Sequence, residues 1–275
     1  MAWSRAYAAL ALAGAMLAGC AHAPPPAVAE DPWRPLFDGR TLNGWTPKIV
    51  GRKAGDNYLN TFVVADGVIR VSYAGYHRFN GQFGHLFYRT PFKAYRLRLS
   101  YRLLEPGMPD APKWAHSNSG LMFDAQSPRS MALAQQFPVS IEFQILGPDG
   151  PGPRPTGSVC SPGTNLSIAG AVARTHCVTS SGPTIPNGTW TDLELEVRPD
   201  GEITHRVNGV VVHRYNHLEL DPADPEAQPL IAAQGGRLAL SGGYIALQSE
   251  GHPIEFRNIA VQVIPEAPAG KASPR

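Results

Sequence analysis

Two stretches of this chain carry the same side chains in the same rhythm. In Ser140–Leu146, Glu142 and Gln144 alternate with Ile141, Phe143 and Ile145. In Tyr244–Glu250, Gln248 and Glu250 follow Ile245 and Leu247. Side chains two apart on a strand share a face. Each stretch therefore reads as a β-strand with one apolar face and one face bearing a carboxamide and a carboxylate. Water is the ordinary surrounding of such a polar face. Two strands bearing the same pair point instead to the floor of a polar cleft. There, a carboxylate removed from water and from cations has its pKa raised into the range of a general base.

The elements that must position these residues are strands. Tyr95–Arg102 sets Tyr95, Leu97, Leu99 and Tyr101 inward and Arg96, Arg98, Ser100 and Arg102 outward. The arginine row is most simply a solvated outer face. Asp192–Arg198 alternates similarly, with Leu193, Leu195 and Val197 inward. Phe62–Val71 and Ile203–Tyr215 are hairpins turned by Asp66-Gly67 and Asn208-Gly209, the type I′ dipeptides. Gly120–Asp124 and Ile254–Val263 are further strands. Ser130–Gln136 suits one or two helical turns, and Asp221–Gln228 is a loop. Gly147–Pro186 is a long Pro- and Gly-punctuated segment of the kind that forms rims or lids. His205 and His213 sit in a hairpin and read as structural. No long amphipathic helix and no 20–50-residue repeat is present. Many short strands joined by turns mean a β-sandwich or jelly roll.

With 275 residues, 43% hydrophobic and 17% charged, the chain suits one large all-β domain and excludes disorder throughout. A net charge of +2 gives no argument for nucleic acid as a partner. Residues 1–20 read as an export signal, with Arg5 before an apolar run too short to span a bilayer. The run ends in Leu17-Ala18-Gly19-Cys20, which resembles a bacterial lipobox with Cys20 as the lipidated residue. The other reading is a plain secretory signal cut near Ala21 or Ala23. Either way the protein is exported. Lipidation would place it in the periplasm or cell envelope, held to a membrane by the lipid anchor alone. Ala21 after the Cys favours the outer membrane by resemblance to sorting rules. Residues 21–32 form a Pro/Ala-rich tether, 33–264 the folded domain and 265–275 a disordered tail. The remaining cysteines, Cys160 and Cys177, read as a disulfide in an oxidising compartment. A Cys/His metal site with His176 is the alternative, short of a fourth ligand.

Taken in order, three signatures resemble the 3-keto-disaccharide hydrolase family. The first is Leu36-Phe37-Asp38-Gly39 with Leu42, Gly44 and Trp45. The second is Asn118-Ser119-Gly120 followed by Glu142-Phe143-Gln144-Ile145-Leu146. The third is Gly243–Gln248, then Gly251 and Phe256-Arg257-Asn258-Ile259. The resemblance covers roughly Leu36–Val263 and implies a concanavalin A-like jelly-roll sandwich of two antiparallel sheets. It also implies an oxidised carbohydrate substrate. Two positions depart from it: Gly147 stands where many members carry an acidic residue, and Glu250 where many carry His.

The activity so implied is cleavage of glycosides bearing a ketone at C3. The ketone acidifies the C2 proton; a base removes it, and the C1 substituent leaves by elimination, with water addition giving net hydrolysis. Candidate catalytic residues are Glu142, His116 and Glu250. Candidate substrate contacts are Asn118, Gln144, Gln248, His252, Arg257 and Trp114, with Tyr244 as a further aromatic. A divalent metal ion bound by the substrate's C2 and C3 oxygens is a possible cofactor, with Glu142, His116 and His252 as candidate ligands. Three alternatives stay open. Glu142 could form a structural pair with Arg257. Glu142 and Glu250 could be an ordinary retaining or inverting glycosidase pair. The protein could be a non-catalytic carbohydrate-binding or structural envelope lipoprotein.

Overall fold

The computed structural model describes residues 31–265. The signal segment, Cys20, most of the tether and nearly all of the tail lie outside the described residues. Two antiparallel sheets make up the domain. The seven-stranded sheet runs in the order Cys177–Val178, Val159–Cys160, Ile141–Leu146, Asn118–Ala125, Tyr244–Ser249, Gly84–Tyr88, Trp45–Ile49. The ten-stranded sheet runs Ala171–Val172, Thr164–Ile168, Val210–Leu220, Ile203–Val207, Thr191–Val197, Tyr95–Leu103, Ile254–Val263, Val68–Val71, Phe62–Ala65, and Arg34–Pro35 also pairs with Ile254–Val263.

The alternation seen in the sequence decides which face goes inward. Ile141, Phe143 and Ile145, with Leu121, Phe123, Ile245 and Leu247, pack against Leu97, Leu99, Tyr101, Leu195 and Phe256 of the other sheet in one core. The two strands richest in chemistry are thus held back to back with the hydrophobic interior. Phe143 stacks on His205 at 3.8 Å, nearly parallel. Because a carbonyl only accepts, His205 Nδ1 donates to Gly157 O (3.0 Å), and Nε2 accepts from the Tyr215 hydroxyl (2.6 Å). Burial pushes the His205 pKa down to about 3, so the ring is a neutral core residue, as its place in a hairpin suggests.

Both type I′ turns form, with Asp66, Gly67, Asn208 and Gly209 all at positive φ. The arginine row is not simply solvated. Arg102 and Arg70 both bind the buried carboxylate of Glu255, at 2.5 and 2.7 Å, and Arg96 lies 3.4 Å from Glu196. Ser130–Gln136 is a run of turns rather than a helix. Side chains take the groups a helix would pair: Ala132 N donates to Gln135 Oε1, and Val139 N and Gln135 Nε2 both donate to Gln126 Oε1. One short helix, Gln228–Ala233, follows the segment read as a loop. Among the described residues no helix is long and apolar enough to cross a membrane.

The long Gly147–Pro186 segment is shared between the sheets: Val159–Cys160 and Cys177–Val178 extend the seven-stranded one, Thr164–Ile168 and Ala171–Val172 the ten-stranded one, and Arg154, Ser158 and Pro162 line a pocket beside Glu142. Cys160 and Cys177 face each other across two short strands and form the disulfide. His176 lies beside them, but both sulfurs are bonded to each other. Since Cys160 also pairs with Glu142, the bridge ties the loop to the carboxylate-bearing strand. Replacing both cysteines with serine should lower stability by about 3 kcal/mol on the chain-entropy model. Denaturant unfolding would show it, and an unchanged midpoint would contradict that role.

Candidate active site

On the front of the seven-stranded sheet the polar face is covered, not solvated. Glu142 is only 6% exposed. Its carboxyl has room because the neighbouring strand carries Gly120: a methyl there would lie 2.1 Å from Glu142 Oε1 and 2.8 Å from Cδ. Gly120 pairs with Gln144, and Met122 with Glu142, so the side chain leans diagonally over the missing Cβ. An ionised carboxylate only accepts, which orients the Gln144 amide. Its nitrogen faces both Glu142 oxygens (3.1 and 3.2 Å), and its oxygen faces Asn118 Nδ2 (3.2 Å). Asn118 Nδ2 also donates to Trp114 O (3.0 Å). Desolvation raises the Glu142 pKa to about 8.

Glu250 lines the same pocket. Burial first, and the Glu142 charge second, push its pKa well above the usual carboxylate range, against the pull of Arg154. One of its oxygens has no hydrogen-bond partner. Arg154 is the residue that the sequence reading missed. Its Nη1 donates to the carbonyls of His116 (2.5 Å), Ser117 (3.2 Å) and Gly147 (3.1 Å), and its Nη2 to Trp114 O (2.9 Å). Nothing in the Pro-rich stretch around Arg154 ties it to Glu142, because the groups that hold it are backbone carbonyls.

The pocket measures about 470 Å³, and Trp114, Phe137, Leu146, Pro162 and the disulfide supply its apolar walls. Trp114 is 52% exposed. It stacks on Phe83 at 5.6 Å, with the two rings within 7° of parallel. Glu142, Gln144, Asn118, Glu250 and Trp114 therefore meet in one cavity.

Five candidates, Arg257, His116, His252, Tyr244 and Gln248, do not line that cavity. Arg257 lies on the ten-stranded sheet, in register with Ser100, and its guanidinium stacks on Trp190 at 3.8 Å. It neither pairs with Glu142 nor contacts the pocket, because its strand belongs to the opposite layer. His116 contributes its carbonyl to Arg154, while its ring does not line the cavity. His252 also lies outside the lining. Its Nδ1 accepts from Ser117 N (3.2 Å), and burial lowers its pKa. Nor do Glu142, His116 and His252 converge as ligands for a divalent cation. Among the described residues the one convergent trio of ligand-type side chains is Cys160, His176 and Cys177, so no step is assigned to a metal. Tyr244 packs beside Phe87, Met122 and Met131, away from the pocket lining. Gln248 is buried on the same face, one strand beyond Gly120.

The departure at Gly147 has a steric cause. A Cβ there would lie 2.2 Å from Asn187 Oδ1 and 2.9 Å from Leu103 Cδ1, so an acidic side chain has no space. Glu250 lines the pocket together with Arg154, whose charge partly offsets the burial that favours its proton.

Two stacked antiparallel sheets with a pocket on the front of one make a concanavalin A-like jelly-roll sandwich. Residues 32–262 match the 3-keto-alpha-glucoside-1,2-lyase-like domain, and the chain belongs to that family. No curated protein matches the chain. Among solved structures, it is similar to a candidate glycosyl hydrolase from Parabacteroides distasonis, with a TM-score of 0.51 at 16% identity, covering 85% of this chain and 94% of that one. A second structure of a candidate glycosyl hydrolase from the same organism gives 0.50 at 17%, covering 85% and 100%. The exoplasmic/lumenal domain of VIP36 in its Ca2+/Man3GlcNAc-bound form gives 0.50 at 8%, covering 85% and 89%. At these identities the likeness establishes the fold.

Gly120→Ala should displace the Glu142 carboxyl and cost about 1–3 kcal/mol, as overpacking does. Thermal melting and a crystal structure of the variant would check this. A variant as stable as the wild type, with Glu142 unmoved, would contradict it.

Proposed function

We propose that this protein cleaves 3-keto-glycosides by removing the C2 proton and eliminating the C1 substituent. The observation that carries this reading is the Glu142 carboxyl, buried over Gly120 in a sugar-sized pocket with a raised pKa. Glu142, when ionised, takes the C2 proton. The electron pair of the C2–H bond moves to the C3 carbonyl, leaving an enolate oxygen at C3. Arg154 is the nearby cation. Four carbonyls occupy only part of its five N–H donors, so it can stabilise that oxygen in a site with little water. The enolate electrons then re-form the ketone and expel the C1 oxygen, which Glu250, held protonated by burial, receives as an acid. The product is an unsaturated 3-keto sugar; water adding across C1–C2 completes a net hydrolysis. Trp114 offers a ring face for the leaving group.

Two consequences follow from the titration of Glu142. Activity requires Glu142 ionised and Glu250 protonated, so kcat/KM should rise about tenfold per pH unit below about 8 and fall again at higher pH as Glu250 loses its proton. Stability runs the other way. A carboxyl whose folded pKa is raised contributes fully below its ordinary value, and that contribution is lost as pH rises through about 8. Glu142→Gln removes this titration. Its melting temperature at alkaline pH should equal or exceed that of the wild type, while turnover of a 3-keto-glucoside falls by about 10²–10⁴-fold. An unoxidised glucoside should not be cleaved. Preserved turnover in the variant would remove Glu142 from the mechanism.

We further propose that the enzyme is an exported lipoprotein anchored through Cys20 to the outer membrane, with the proline-rich segment as tether. The motif Leu17-Ala18-Gly19-Cys20 supports this. Cys20→Ser should abolish labelling by a fatty-acid probe, and continued labelling would sink the lipobox reading.

A further inference from the structure

The Glu142 pocket has a polar floor and an aromatic flank, and the strand order joins them. Ile141–Leu146, Asn118–Ala125, Tyr244–Ser249 and Gly84–Tyr88 lie side by side in the seven-stranded sheet. Gly84 pairs with Ser249, and the next step in that register sets Phe83 beside Glu250. Phe83 is 3% exposed, and its ring serves as a support. Trp114 stacks on it at 5.6 Å, and Phe137 packs against it at 5.1 Å. Behind Phe83 the series continues edge to face through Phe79 (5.0 Å) to Tyr73 (6.0 Å). Trp114 and Phe137, which end this ladder, both line the pocket. Trp114 is fixed from its backbone as well, because its carbonyl accepts from Asn118 and Arg154. A ring held so firmly, with half its surface open, is a preformed contact for a ligand.

The flank selects against hydroxyls. The ring faces of Trp114 and Phe137 offer no carbonyl, amide or carboxylate to a hydroxyl. The floor groups nearby are committed: the Gln144 amide to Glu142 and Asn118, and Asn118 to the Trp114 carbonyl. His176 and Thr179 also line the pocket, beside the disulfide. That side lies across the Glu142 strand from Glu250.

We propose that Trp114 and Phe137 form an aglycone subsite, and that the glycosides it selects carry an aromatic aglycone rather than a second sugar. This inference rests on the 3-keto-glycoside reading of the pocket, in which Glu250 gives its proton to the C1 oxygen. The aglycone bonded to that oxygen then lies against the wall beside Glu250. Aromatic rings attract one another in the offset-stacked and edge-to-face arrangements that the ladder itself uses. When the C1–O bond breaks, its electron pair goes to the aglycone oxygen, which takes the Glu250 proton and leaves as a phenol.

The test uses 3-keto-glucosides of one anomeric configuration with methyl, cyclohexyl, phenyl or glucosyl at C1. Kd is measured by calorimetry in the Glu142→Gln background, where turnover does not interfere. The phenyl ligand should bind about tenfold more tightly than the glucosyl ligand, the order expected for an aromatic contact together with its buried area, and more tightly than the cyclohexyl one. Adding Trp114→Ala should weaken the phenyl ligand about tenfold and leave both the methyl ligand and the melting temperature unchanged. Trp114→Phe, the second variant should the alanine one not fold, should keep most of the phenyl affinity. A glucosyl ligand that binds as tightly as the phenyl one would overturn the proposal. So would an equal loss for the methyl ligand in Trp114→Ala, which would place the indole on the sugar. A wild type that binds the phenyl 3-keto-glucoside without releasing phenol would refute the elimination chemistry, and the Kd ranking alone would then judge the subsite. Binding of none of the four would refute both.

Discussion

The structure depends on one steric allowance. A carboxylate can be set into the front of a sheet, out of water, only where its neighbour has no side chain, and Gly120 provides that place for Glu142. The register of the two strands is therefore chemical as well as structural. A slip of one residue would turn Glu142 into the hydrophobic interior and Phe143 out of it. The Phe143–His205 stack on the inner face and the Cys160 pairing on the far side both oppose such a slip. The same strand thus answers to three constraints: a filled core behind, a stapled loop on one edge and a glycine on the other.

What the sheet places, the loops charge. Arg154 arrives from the long segment after the strand, and four backbone carbonyls fix it before any substrate is present. A guanidinium so held loses little rotational freedom on binding an anionic oxygen, which is the condition for electrostatic preorganisation. It also explains how two buried carboxyls coexist. Burial raises both pKa values, the Glu142 charge raises that of Glu250 further, and Arg154 pulls the latter back. The pair can then hold one ionised and one protonated member, the distribution that a base and an acid require.

Strand alternation was legible in the sequence, because apolar and polar residues at period two can be satisfied only by a strand with one buried face. It correctly assembled Glu142, Gln144, Gln248 and Glu250 on one surface, and the turn dipeptides placed both hairpins. Arg257 was misassigned because a strand pattern gives the face of a residue but not the layer to which its strand belongs. His116 and His252 were attractive by type and by nearness in sequence, but the chain there spends backbone atoms, not rings, on the pocket. Arg154, Phe137 and His85 left no usable signal. Arg154 is held by carbonyls, Phe137 is placed by glutamine side chains that replace a helix with turns, and the full burial of His85 appears only once the sheet has formed. The clash that excludes an acidic residue at position 147 depends on Asn187, forty residues downstream, and is visible only once the loop has folded.

The central claim is that the C2 proton leaves as the glycosidic bond breaks. The direct measurement follows the label in a 3-keto-glucoside carrying deuterium at C2, by mass spectrometry of the sugar and the aglycone formed in ordinary water. The account predicts that aglycone release is accompanied by loss of the C2 deuterium and is slowed by it. Release at the full rate, with the deuterium retained in the sugar, would contradict proton abstraction by Glu142 and return the two carboxyls to the ordinary glycosidase reading.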